Sequence, residues 1–341
     1  MDATTKKSIL IVGGIIIFLI IYYQYNRCEC EKRISYSNVN LNDGIDKGTL
    51  YKKVDSRLLN NIKQEWKLAG NQIDSFVIET QFNYITNRPI NIINQYSNGQ
   101  KHYGAVVYPK NYDTHKKYPL ILWAEGLNQV KPSVNIYNST VNKIISQSED
   151  YFILIPSFRG QALITNNRRF CSDGFFGDAF DGATDDALNF LNLTKNNIDN
   201  IDENRICIVG ISRGGTVALL MGSRDSTISS VVSISGPTNF YSEKAFNRYG
   251  KQYKYQFLSR SKSIDNIRKK MIKSSPIFFI KDYPNSILLI HGKNDSVVNI
   301  SHAKAIIDKL SGKDNFEFVL NENGHNFYDW DMVVNWIKNN T

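Results

Sequence analysis

The chain has 341 residues, 42% of them hydrophobic and 21% charged, with a formal net charge of +9. That balance excludes a disordered polymer and allows one substantial buried core. The positive excess comes without a nucleic-acid recognition motif, which argues against a nucleic-acid partner.

From Ser8 to Asn26 the chain carries 19 consecutive uncharged residues rich in Ile and Leu. At ~1.5 Å per residue this reaches roughly 28 Å, nearly the hydrocarbon thickness of a bilayer. Lys6 and Lys7 precede it, no small-x-small cleavage site follows, and Tyr22, Tyr23 and Tyr25 suit an interfacial belt. Residues 1–26 are therefore expected to form an uncleaved, single-pass membrane anchor. Arg27, Lys32 and Arg33 balance the leading lysines, so charge does not orient the span. A short N-terminal tail kept inside would leave the rest of the chain outside the cytoplasm. Cys28, Cys30, Cys171 and Cys207 show no metal-ligand spacing and do not decide the compartment.

Residues 27–75 read as a juxtamembrane linker. Within them Leu50, Val54, Leu58, Ile62 and Trp66 recur every four residues and Gly70 closes the run, predicting an amphipathic helix of about five turns packed on its own domain. Residues 76–341 are expected to form one α/β domain. Ile90–Tyr96 and Lys101–Tyr108 flank an Asn-Gly turn and read as a hairpin. Strands are predicted over Tyr118–Trp123, Tyr151–Pro156, Arg205–Gly210 and Ile228–Ser235. Helices are predicted over Val134–Gln147, Ala179–Leu193 and Arg213–Ser223. This alternation implies a mostly parallel sheet with helices on both faces.

The run Arg205-Ile-Cys-Ile-Val-Gly-Ile-Ser-Arg-Gly-Gly215 carries a short apolar strand into G-x-S-x-G and then into a helix. This is the nucleophile-elbow pattern: Ser212 occupies a strained turn that admits only small residues at Gly210 and Gly214. A serine hydroxyl needs an imidazole to take its proton, and the imidazole needs a carboxylate to fix its tautomer. Behind an elbow the order is serine, acid, histidine. Ser286–Asp295 is a buried strand ending in a loop with Asp295, and Phe316–His325 is a strand followed by a Gly-His loop. His325 is the expected base and Asp295 the expected acid, with Glu322 and Asp314 as weaker acids. His291 reads as a packed residue, His302 lies in a predicted helix, and His102 and His115 precede the elbow.

These segments, with Ile155-Pro-Ser-Phe-Arg-Gly160 and Asp181-Gly-Ala-Thr-Asp-Asp-Ala187, resemble the α/β-hydrolase superfamily, and within it the catalytic domain of the prolyl oligopeptidase family. The resemblance implies Ser212 as nucleophile, Asp295 as acid and His325 as base, without a cofactor or metal. Arg159 is expected to anchor a loop, and Asp185 or Asp186 to start a helix. Relatives often carry a glycine-rich turn after the third strand, sometimes with an oxyanion tyrosine. Here that turn reads Ile121-Leu-Trp-Ala-Glu-Gly-Leu127, with no tyrosine. The N–H groups of Arg213 and Leu127 are the expected oxyanion donors. Glu125 beside them is unexplained, since a carboxylate there would oppose a developing negative charge unless it points away or meets a cation. With the incomplete turn it motivates an inactive-scaffold alternative. The first 75 residues show no propeller period.

The resemblance implies that residues 237–285 form a lid over the active site. From Tyr241 to Asp282 eleven Lys or Arg stand against three acids, +8 of the chain's +9, and seven aromatics lie between Phe240 and Phe257. A solvated face and a site for an anionic partner both fit. The resulting expectation is a membrane-anchored serine hydrolase acting on a peptide or amino-acyl substrate. The alternatives are a carboxylesterase on small acyl esters and an inactive envelope scaffold that keeps the fold.

Overall fold

Alternation along the strands decides the layering. In β9 (Ile201–Ile211), Ile206 and Ile208 enter one buried cluster, while Cys207, Val209 and Ile211 enter another. In β4 (Tyr118–Ala124), Leu120 and Leu122 join the first cluster and Ile121 and Trp123 the second. Successive side chains point to opposite faces, so a strand apolar throughout must be covered on both sides. The computed structural model describes residues 12–19, 30, 36, 45–69, 73–84, 86–97, 99–127, 132–166, 168–248, 250–261, 263–325 and 328–341.

The remaining strands are β1 (Ile73–Asn83), β2 (Pro89–Ser97), β3 (Gln100–Val107), β5 (Ser133–Asn135), β6 (Phe152–Ser157), β7 (Ala162–Ile164), β8 (Arg169–Cys171), β10 (Ser230–Ile234), β11 (Ser286–Gly292) and β12 (Phe316–Asn321). Among the described residues they form a nine-stranded sheet, β1-β2-β3-β6-β4-β9-β10-β11-β12, and a small sheet, β5-β7-β8. From β6 to β12 every pairing is parallel, whereas β1, β2 and β3 run antiparallel at one edge. Helices α5 (Asp181–Asn197), α6 (Arg213–Arg224) and α10 (Ser301–Leu310) cover one face, and α4 (Ser139–Gln147) and α11 (Trp330–Asn340) the other. This is the expected α/β-hydrolase fold.

The segment expected as a lid, residues 237–285, contains α7 (Glu243–Arg248), α8 (Lys251–Leu258) and α9 (Ile264–Lys273). Phe240, Phe246, Tyr253, Phe257 and Met271 bury themselves against Phe180, so most of the aromatic run is the lid's own core. Leu50, from the short helix α2 (Lys47–Leu50), joins that core.

Several expectations change. The amphipathic helix does not run through Leu50 and Val54. Asp55 accepts from the Leu58 amide at 2.7 Å and starts α3 (Ser56–Ala69) there. Gly70 lies outside the described residues. The apolar face of α3 packs on its own domain: Ile62 is fully buried with Leu220, Ile272 and Phe279. Trp66 donates to Asp181 at 3.0 Å beneath the Arg224 guanidinium, 4.0 Å from the ring centroid. The helix predicted from Val134 begins only at Ser139, because Asn138 caps it through the Val141 amide, and Ser133–Asn135 pairs with β7 instead. Helix α5 starts at Asp181, a turn before Asp185 and Asp186. Arg159 does anchor its loop, meeting Asp186 at 2.7 Å and Asp178 at 2.9 Å.

Of the expected anchor over residues 1–26, only residues 12–19 are described, as helix α1. No helix among the described residues is long and apolar enough to cross a membrane. A disulfide that the cysteine spacing did not reveal joins Cys30 to Cys171 in β8, and Cys207 is a free, buried thiol.

Candidate active site

Ser212 links β9 to α6 with φ 54° and ψ −118°, a left-handed backbone that a side chain rarely adopts. Packing enforces it. A Cβ on Gly210 would lie 2.0 Å from the Gly214 carbonyl oxygen, and one on Gly214 would lie 1.8 Å from that of Ala124. The Ser212 amide donates to Ile234 of β10 at 2.8 Å, which pins the turn to the parallel sheet.

Over this turn the loops after β11 and β12 bring the other expected residues together. His325 Nε2 lies 2.9 Å from Ser212 Oγ, and His325 Nδ1 lies 2.8 Å from Asp295 Oδ2. The second oxygen of Asp295 accepts from the amides of Val297 at 2.9 Å and Val298 at 2.8 Å. Burial opposes the charge on Asp295, but the His325 hydrogen bond and these amides outweigh it and lower its pKa. An ionised Asp295 can hold the His325 Nδ1 proton, leaving Nε2 free to accept from the serine.

The other histidines make different contacts, and of them His291 also places Nε2 3.6 Å from Asp295 Oδ2. His291 is buried, with Nε2 2.9 Å from the Val298 carbonyl. His302 Nδ1 accepts from the Thr238 and Asn239 amides at 3.2 and 3.3 Å. Buried His102 sits 3.9 Å from Asp186, and His115 lies on an exposed loop. Glu322 pairs with Lys293 at the surface and is not near the base through that contact.

The oxyanion side differs from the sequence picture. Arg213 opens α6, where the first amides lack partners within the helix. Its buried guanidinium holds the Glu125 carbonyl at 2.9 Å and lies over Phe158, and burial pulls its pKa down to about 10. Glu125 has partners after all: its carboxylate accepts from the Trp123 indole at 3.2 Å, the Asn138 amide at 3.2 Å and the Gly126 N–H at 3.0 Å. The Gly126 N–H is thereby taken, and Leu127 is the next residue lining the cavity over Ser212. A tyrosine also stands here, supplied by the lid. Tyr253 of α8 is buried and lines the same cavity as Ser212, and burial pushes its pKa up to about 12. Its only signal in the sequence was membership of the lid's aromatic run.

The cavity measures about 580 Å³. Asn135, Asn138, Thr140, Gln252 and Tyr328 make its walls largely polar. Among the described residues no cluster of side chains is suited to hold a metal ion.

Comparison with known proteins fits this architecture. The chain is 25% identical to Dipeptidyl-peptidase 5 of Porphyromonas endodontalis over 215 residues, which is 62% of this chain and 30% of that protein. It thus spans under a third of that relative's length. Among solved structures, acetyl xylan esterase 1 from Thermoanaerobacterium sp. superposes with a TM-score of 0.61 at 15% identity, covering 81% of this chain and 92% of the esterase. A puromycin-hydrolyzing peptidase of Mycobacterium tuberculosis superposes with a TM-score of 0.56 at 13% identity, over 74% of this chain and 45% of the peptidase. At such identities these structures speak for the fold. The family model named BD-FAE matches residues 107–310, from the end of β3 through α10. The chain therefore belongs to the BD-FAE family, an α/β-hydrolase-type domain.

Proposed function

We propose that this protein is a serine hydrolase that cleaves peptide or amino-acyl bonds through an acyl-enzyme. The observation that carries the reading is the line of contacts from Ser212 through His325 to Asp295, at 2.9 and 2.8 Å. Ser212 Oγ attacks the carbonyl carbon while its proton passes to His325 Nε2. The tetrahedral oxyanion is met by the N–H groups of Arg213 and Leu127 and by the Tyr253 hydroxyl. His325 then protonates the leaving group, the carbon–heteroatom bond breaks, and the acyl group stays on Ser212. Water attacks the acyl-enzyme, giving its proton to His325, and the acid product leaves with Ser212 restored.

The similarity to a dipeptidyl-peptidase supports the peptide reading. A second reading, hydrolysis of small acyl esters, is favoured by the fold match to an acetyl xylan esterase over 92% of that enzyme's length. The glutamate beside the oxyanion turn no longer favours an inactive scaffold, because its carboxylate is held by three donors. We also propose a tethered, extracytoplasmic enzyme. The Cys30–Cys171 bridge supports an oxidising compartment, and the uncharged stretch from Ser8 to Asn26 supports the tether.

A panel of aminoacyl and dipeptidyl anilides beside short-chain acyl esters tests the substrate class, with Ser212→Ala as control. Amide cleavage that disappears in the control is expected. Turnover of acyl esters alone would replace the peptide reading with the esterase one, and no turnover of either class would reject both.

A further inference from the structure

A second cavity, of about 530 Å³, adjoins the first. Its walls come from α7, α10 and the turn after β11. Val297 of that turn lines both cavities, and Asp295 lines the second while holding His325 over Ser212. The two spaces thus meet across one turn, and only the His325 ring separates Asp295 from the nucleophile.

The charges around this cavity are unequal. Lys244 and Arg248, one turn apart on α7, both line it. Among the described residues no acid lies within ion-pair distance of either. Asp295 is the acid in the lining, and its oxygens already accept from Val297, Val298 and His325. Ser242, Ser296 and Ser301 add hydroxyls.

Much of the lid's remaining positive charge is tied into the protein. Lys269 pairs with Glu65, Lys270 with Asp178 and Lys273 with Asp181. Arg268 donates to the Lys53 carbonyl, and Arg260 covers the Phe175 ring. Lys244 and Arg248 differ from these in lining a cavity that shares Val297 with the one over Ser212.

The geometry points to an anion subsite in which Lys244 and Arg248 receive a carboxylate carried by the substrate whose scissile carbonyl lies at Ser212. A guanidinium binds a carboxylate through two parallel N–H groups, and an ammonium adds a point charge beside it. The inference rests on the reading of Ser212 as nucleophile and names the substrate class for that site: esters or amides bearing a terminal carboxylate. A lipid headgroup fits less well, because the cations line a recess that shares Val297 with the reaction cavity.

The test uses the whole protein and matched esters. On the acyl side, 4-nitrophenyl hemisuccinate, hemiglutarate and hemiadipate are compared with uncharged acyl esters of equal length. On the leaving-group side, 4-acetoxybenzoate is compared with phenyl acetate. The readout is the ratio of kcat/KM, anionic over neutral. In one of the two series a ratio of roughly five to ten is expected, the sum of two exposed charge contacts. Lys244→Gln/Arg248→Gln should bring that ratio near one through KM, and Lys244→Arg should keep it.

Neutral esters turned over with no anionic preference in either series would overturn the subsite and leave the hydrolase reading standing. So would a ratio unchanged in the double variant, including the case where that variant loses only its binding to phosphatidylglycerol vesicles. No turnover of any ester, with no labelling of Ser212 by a fluorophosphonate, would remove the hydrolase reading and the subsite with it.

Discussion

Ser212 is reactive only if its backbone stays in the left-handed region, and two neighbours without side chains permit that. Gly214→Ala would push a methyl group to within 1.8 Å of the Ala124 carbonyl. It is expected to cost about 3 kcal/mol or more in stability, read from a chemical denaturation curve. Tyr253→Phe keeps the ring buried and removes a hydroxyl from the residue that shares the cavity with Ser212. Its kcat should fall on the order of 10- to 100-fold with a KM close to that of the wild type, as when one oxyanion donor is lost. Equal kcat would show that Tyr253 merely fills space. Asp295 has a lowered pKa in the fold, so its contribution to stability is complete above the unfolded carboxylate pKa and lost as pH falls through the folded value. Ser212, Asp295 and His325 were legible because each follows the end of an apolar strand. Tyr253 was not, since nothing local distinguishes it from Phe246 or Phe257 in the same run.

At the scale of elements, His302 couples α10 to the root of the lid. Its Nδ1 accepts two backbone amides, from Thr238 and Asn239, so a proton on that nitrogen would face two donors. Burial, with His291 adding to it, pulls its pKa down from 6.5 to about 4. The unfolded residue binds a proton below about 6.5 and the folded one only below about 4. Stability from this group is therefore complete above pH 6.5 and shrinks as pH falls toward 4, by about 3 kcal/mol in all. Denaturation midpoints at pH 7 and pH 5 should separate in the wild type and converge in His302→Gln. A separation that is unchanged in the variant would assign the effect to other groups. Long apolar strands were legible from periodicity, and so were the helices between them. Ser133–Asn135 was not, because a three-residue strand is too short to show a period and its pairing with β7 is set by tertiary contact. The helix over Leu50–Trp66 was overextended for a related reason: an unbroken four-residue spacing hid the cap at Asp55.

For the molecule as a whole, the Cys30–Cys171 bridge spans a sequence separation of 141 and ties the linker to β8. Opening so long a loop with Cys171→Ser should lower stability by about 2–4 kcal/mol. The same loss should follow when a reductant is added to the wild type, and an unchanged melting curve under reduction would contradict it. Spacing alone could not reveal this pair, since partners so distant meet only once the sheet has formed. The two cavities meeting at Val297 were invisible in the sequence for the same reason. If His325 activates Ser212 as a nucleophile, a fluorophosphonate reacts at that serine. The most direct measurement is intact-mass detection of a fluorophosphonate adduct. One adduct per chain, mapped to Ser212, absent in Ser212→Ala and strongly slowed in folded His325→Ala, is the predicted result. A folded wild type that takes up no label, or equal labelling of Ser212→Ala, would contradict it.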